Sequence, residues 1–124
     1  MKYMLLTYLD ENAWLAMSEA ERQAEMAKCE PHVRRLVENK KVLDGAPLQP
    51  TGTATTIRAK KGKRLVTDGP FAETREQLGG YTLIDAGDLD EAIEIAAGFL
   101  GEDSMASIEV RPVVEYRFPS PEAP

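Results

Sequence analysis

An α+β sandwich is the fold this sequence predicts, on three observations. The chain opens on a strand-like run that is apolar on both faces, two capped helical patterns lie between strand-like segments, and an alternating apolar run follows the second helix. At 124 residues, 43% hydrophobic and 29% charged, it has the size of one ordinary domain with enough apolar side chains for a real core. A single domain over residues 1–118 is expected, followed by a flexible tail over 119–124, where prolines remove backbone donors and apolar residues run out.

Lys2 to Leu9 reads as the first strand, with Met4, Leu6 and Tyr8 pointing one way and Tyr3, Leu5 and Leu9 the other. Ser18 with Glu21 forms a capping box, which predicts a helix start there. Ala20, Ala24 and Ala27 keep one face of that helix. Pro31 then predicts a kink or restart near Glu30, before Val33, Leu36 and Val37 resume the stripe toward Lys40. Val42 to Leu48, Thr53 to Ala59 and Lys63 to Thr67 read as strands, the last two joined through Lys60-Lys61-Gly62 as a hairpin.

Leu78 to Asp85 is a further strand. Asp88 caps the second helix, with Glu91 closing its box, Leu89, Ala92, Ile93, Ala96, Ala97 and Leu100 at helical spacing, and Gly101 ending it. Ile108, Val110, Val114, Tyr116 and Phe118 alternate with polar residues as a last strand, and Pro112 within it points to a sheet edge. The resulting order is the ferredoxin-like βαββαβ plan with an added β-hairpin between its halves. Two helices cover only one face of such a sheet, so the second apolar face of the first strand calls for another subunit. A homodimer paired sheet to sheet is the expected solution.

Charge and composition exclude several function classes. A net charge of -6 opposes nonspecific binding to nucleic-acid backbones, and no nucleic-acid partner is expected. No segment approaches the ~18 apolar residues that a membrane span needs, so no membrane partner is expected. A lone cysteine, Cys29, and an opening without a signal-peptide pattern lead to a cytoplasmic expectation. One histidine and one cysteine do not make the ligand set of a catalytic metal site, and no metal or cofactor is expected.

The segment that resembles a site is Asp68-Gly69-Pro70-Phe71-Ala72-Glu73-Thr74-Arg75-Glu76, on the connection between two strands. Its structural reading is a turn, because Asp bonds its own backbone, Gly allows positive φ and Pro presets the bend. Its functional reading makes Asp68 a base at a pocket, with its pKa raised by partial burial. Glu73, Arg75 and Glu76 read as a surface or intersubunit ion cluster, or Arg75 as the anchor of a carboxylate or phenolate substrate, with Glu73 beside it. Gly79-Gly80 reads as a strand bulge. Tyr81 packs in the sheet or borders the pocket with its hydroxyl. His32, in the first turn after Pro31, is either an ordinary contact residue or a neutral base kept so by the helix dipole.

The run Asp68-Gly69-Pro70-Phe71-Ala72-Glu73-Thr74-Arg75-Glu76-Gln77-Leu78-Gly79-Gly80-Tyr81 resembles the signature of the DGPF family within the YCII-related proteins. The resemblance extends to Met4-Leu5-Leu6, Leu48-Gln49-Pro50, Asp88-Leu89-Asp90-Glu91-Ala92 and Glu109-Val110-Arg111-Pro112, and so covers nearly the whole chain. It implies a dimeric α/β-barrel assembly and a bacterial cytoplasmic protein without an established activity. Relatives carry a proposed His and Asp acid/base pair, which points to His32 as the matching histidine. Arg75 stands where lysine is common in the family, keeping the charge but changing its hydrogen-bond geometry.

Two functions follow as expectations. One is a small dimeric enzyme or binding protein doing acid/base chemistry on a small organic molecule, aromatic or carboxylate, with Asp68 or His32 as base and Arg75, Tyr81 and Glu73 around the substrate. The alternative is a regulatory interaction module acting with a sigma factor of the extracytoplasmic-function type, since family members are often encoded beside one. Cofactor-independent oxygenation is a third reading, by fold analogy alone.

Overall fold

Strand β1 (Lys2–Asp10) lies inside a four-stranded sheet, in a computed structural model that describes residues 1–122. After it come α1 (Glu11–Ala16), α2 (Glu19–Lys28), α3 (Glu30–Glu38), β2 (Val42–Pro47), a 3-10 turn at Thr51–Thr53, and the hairpin β3 (Thr55–Lys60) and β4 (Lys63–Asp68). β5 (Glu76–Asp85), α4 (Leu89–Ala97) and β6 (Ala106–Pro112) complete the chain. The sheet runs β2-β5-β1-β6, every neighbouring pair antiparallel, while β3 and β4 form a separate two-stranded sheet. This α+β arrangement is consistent with the ferredoxin-like plan read from the sequence.

Register decides which apolar face is covered. Residues paired across an antiparallel ladder share a face, and Tyr3 pairs with Ile84 and Leu5 with Val110, whereas Met4 pairs with Leu83 and Leu6 with Tyr81. The first set is the core: Leu5 is 1% exposed and Ile84 0%, packed with Tyr3, Ala86, Leu36 of α3 and Ala92, Ile95 and Ala96 of α4. The second set, Met4, Leu6, Tyr8, Tyr81 and Leu83, stays half-buried. Gly79 is the extra residue where the β1–β5 register shifts between Thr7 and Tyr8, so the bulge falls within the glycine pair.

Local signals placed most boundaries. Ser18 caps α2 with the full box to Glu21, and α3 begins at Glu30 with Pro31 in its first turn, where a missing N–H is harmless. Four expectations change, besides the exposure of Val33, Val37, Leu89 and Ile93, which the sequence sets on apolar stripes. Helix α1 was not foreseen; Asp10 caps it by accepting from the Ala13 N–H at 3.2 Å. Ala20, Ala24 and Ala27 are exposed, and α2 with its C-cap turns Arg22, Glu25 and Cys29 inward instead, with Arg22 donating to the Met17 and Leu15 carbonyls. Asp88 caps α4 through the Glu91 N–H, but the Glu91 carboxylate goes to Lys41 Nζ at 2.7 Å rather than back to the cap.

The fourth change concerns two element ends. Strand β6 stops at Pro112 instead of reaching Phe118, because β1 has run out: the Val113 N–H already uses the Lys2 carbonyl. Val114, Tyr116 and Phe118 are left exposed, the two rings edge to face at 4.9 Å. Residues 119–122 carry no helix or strand, and the last part of the expected tail, residues 123–124, lies outside the described residues. Helix α4 ends at Ala97, not at Gly101. His32 Nε2 meets the Ile95 carbonyl at 2.8 Å, its ring lies edge-on to Phe99 at 4.8 Å, and a Cβ on Gly98 would overlap that ring.

Gly98→Ala is therefore expected to cost about 1–3 kcal/mol by overpacking. In a His32→Ala background, where the ring is gone, the same change should cost far less in urea unfolding. Equal costs in both backgrounds would show that ring and glycine do not press on each other.

Candidate functional site

The Asp68 to Glu76 segment is held mainly by bonds from β3, the residues just before it and Gln77 of β5. Asp68 is exposed at the end of β4, opposite Thr55. Gly69, at φ 107°, makes the turn that only glycine adopts without strain; its N–H donates to the Ala54 carbonyl at 2.7 Å and its carbonyl accepts from Thr56 Oγ1 at 2.8 Å. Arg58 donates to the Phe71 carbonyl at 3.1 Å and stacks over that ring at 5.5 Å. Gln77 Nε2 donates to the Ala72 and Thr74 carbonyls, each at 3.1 Å. Of the structural reading, Gly69 supplies its part through its positive φ, whereas the Asp68 carboxylate makes no hydrogen bond among the described residues.

The predicted site residues do not meet in one cavity. Arg75, its side chain 89% exposed, pairs through Nε with Asp10 Oδ2 at 3.4 Å and lines an open depression with Tyr8, Thr74 and Glu76. Glu73 is exposed and Tyr81 sits on the half-buried, helix-free face of the sheet next to Leu6. His32 is on the opposite side, engaged with Ile95 and Phe99. Asp68, Glu73, Tyr81 and His32 line neither this depression nor the cavity beneath α1 and α2.

That cavity, about 800 Å³, lies on the helix-covered side where α1, α2, the β2–β3 connection and the segment after α4 converge. Leu9, Trp14, Met26, Leu48, Phe99 and Leu100 are among the apolar side chains that line it. Its frame is tied by contacts between distant segments. The Glu11 carboxylate accepts from the Thr51 N–H at 3.0 and 3.2 Å and from Thr51 Oγ1 at 2.6 Å, clamping α1 to the β2–β3 connection. The Cys29 thiol donates to the Phe99 carbonyl at 3.4 Å, so Cys29 and His32 together fix the Phe99 wall. His32 itself lies behind that wall and does not line the cavity. Among the described residues, no three of His, Cys, Asp and Glu converge to hold a metal ion.

Sequence reading missed this cavity because its centre is the unforeseen α1. Asp10-Glu11, a cap residue followed by an acid in the first turn, was the available signal for that helix, and Trp14, the single tryptophan, is its large apolar side chain.

Electrostatics around the cavity frame are set by local bonds. The Ala13 N–H, chiefly, and the Arg75 guanidinium hold the Asp10 carboxyl below its ordinary range, against a partial burial that pushes it up. Lys41 goes the other way, raised by its bond to Glu91 despite desolvation. What Asp10 contributes to stability is complete above the ordinary carboxylate pKa of about 3.9 and lost as pH falls through its lower native value. What Lys41 contributes is complete below about 10.4 and lost as pH rises through its raised native value. Asp10→Asn should therefore melt below the wild type at pH 7, with the gap closing under acid conditions. A gap in Tm that does not change between neutral and acid pH would remove Asp10 as a contributor.

Comparison with known proteins gives one family. The model of the YCII-related domain matches residues 1–117. A protein of Rhizobium meliloti (strain 1021), itself described as uncharacterised, is 42% identical over 118 residues, which is 94% of this chain and 95% of that protein. With a match of that extent and a relative of that similarity, the chain belongs to the YCII-related domain family.

Proposed function

We propose that this protein binds a small, largely apolar organic molecule in the cavity walled by Trp14 and Phe99, and that it works as a homodimer. The observation that carries the first part is the cavity itself: about 800 Å³, apolar for most of its wall and framed by side-chain bonds between distant segments. Pockets for small ligands run from roughly 300 to 1,000 Å³ with this kind of lining. Binding is a better-supported role than acid/base turnover. His32 Nε2 is engaged by a helix carbonyl and Asp68 stands exposed on the hairpin, so neither of the proposed bases faces the cavity.

Homodimerisation is supported by the sheet face that no helix covers, where Met4, Leu6, Tyr8, Tyr81 and Leu83 form a continuous apolar strip across two strands. A second reading, an interaction module for a sigma factor of the extracytoplasmic-function type, is favoured by the hairpin. Ile57, Val66 and Phe71 are exposed there beside Arg58, Lys60, Lys61, Lys63 and Arg64, a cationic tip on an acidic chain. An isolated two-stranded hairpin is marginal in water, which suits a segment that docks on a partner.

Calorimetric titration with 2-naphthylmethanol, an uncharged aromatic probe, tests the cavity. Binding is expected for the wild type and a loss of about tenfold or more, worth 1.4 kcal/mol, for Ala106→Phe, which places a ring beside Leu9. Equal binding by both proteins would move the site elsewhere. Sedimentation velocity separates the two surfaces. Leu6→Glu should convert a dimer to monomer, while Lys60→Glu with Lys61→Glu should leave the dimer but abolish co-sedimentation with the sigma factor. A wild type that sediments as a monomer would end the dimer proposal, and one that never co-sediments with the sigma factor would end the second reading.

A further inference from the structure

The charge of the cavity's rim selects among ligands. We infer that the preferred ligand carries a positive charge, an aromatic or aliphatic body ending in an ammonium-type head, an inference that rests on the cavity being the binding site. The ionisable residues on its lining are Glu11, Glu25, Glu102 and Asp103 against a single Lys28, and no arginine reaches it. That one cation is already spent, since Lys28 Nζ is 2.6 Å from Glu25 Oε1. Glu11 is taken up by Thr51. Glu102 and Asp103, exposed in the turn after α4, form no ion pair among the described residues and stand free at the mouth.

The apolar wall accepts the body of such a ligand and the mouth accepts its head. Ionised carboxylates are acceptors only, so a complementary ligand must bring N–H donors or a bare positive charge. The Trp14 indole adds a surface that attracts cations through its ring face. A carboxylate ligand meets the reverse: repulsion from Glu102 and Asp103 and no free cation to receive it. Arg75, the residue that sequence reading assigned to anion binding, lines the other depression and is paired with Asp10.

Three probes with one naphthalene body test this on the full chain: 2-naphthylmethylammonium, 2-naphthylmethanol and 2-naphthoate, titrated by calorimetry at neutral pH. The ammonium is expected to bind about fivefold tighter than the alcohol, the size of a solvent-exposed charge contact, with the naphthoate weakest and the preference shrinking as salt is added. Glu102→Gln combined with Asp103→Asn should bring the ratio of ammonium to alcohol affinity close to one. Naphthoate binding as tightly as the ammonium, or a ratio unchanged in the double variant, overturns the inference and leaves the cavity standing. If none of the three binds, the cavity reading falls and this inference with it.

Discussion

Tyr3 and Leu5 lie on an inner strand that is apolar on both sides, and the rest of the molecule is arranged around that condition. Their face is dry because α3 and α4 deliver Leu36, Ala92, Ile95 and Ala96 onto it, giving a core in which Leu5 and Ile84 are fully enclosed. Burying side chains of this size contributes about 1.5–3 kcal/mol each, which makes the four-stranded sheet and its two helices one unit. The same alternation puts Met4, Leu6 and Tyr8 on the face without helices, where they meet Tyr81 and Leu83 from β5. A strand that must be covered twice and is covered once is the physical basis for expecting a second copy.

The second constraint is the junction between α3 and α4. His32 caps the Ile95 carbonyl, Gly98 makes room for its ring, and Cys29 and His32 hold Phe99 in place. Helix α4 therefore ends a turn early, and the segment from Gly98 to Met105 is released to wall the cavity instead of continuing the helix. On the far side, the clamp of Glu11 on Thr51 carries α1 and its Trp14 into position. His32, which the sequence offers as a contact residue or a base, is engaged in the fold by Ile95 and Phe99 and does not line that cavity.

Membership of the YCII-related family and 42% identity to an uncharacterised relative place the chain among its kin without supplying a reaction. The conspicuous Asp68 to Glu76 run is mostly turn chemistry: Gly69 at positive φ, Phe71 held by Arg58, Gln77 bridging two carbonyls. Such a segment fixes how the hairpin returns to β5, and it does so with its charges outward. The cavity walled by Trp14 and Phe99 lies elsewhere, beneath α1 and α2. Among the described residues, no helix is long and apolar enough to cross a membrane.

Local physics was legible without coordinates. The alternation in β1, the box at Ser18 and Glu21, the proline restart at α3, the cap at Asp88, the glycine bulge in β5 and the turn at Gly69 each depend on residues a few positions apart, and each is present. Those features determined the α+β class and that β1 is an inner strand, though not the short helix α1. What only the tertiary structure decided rests on partners far apart in the chain: Glu11 with Thr51, Cys29 with Phe99, His32 with Ile95, and Lys41 with Glu91, which took a carboxylate from its expected cap. Strand β6 ended where β1 offered no further carbonyls, although its own alternation continued to Phe118. Side-chain pattern reports what a segment can bury or bond, and only the packed chain settles which neighbour arrives to satisfy it.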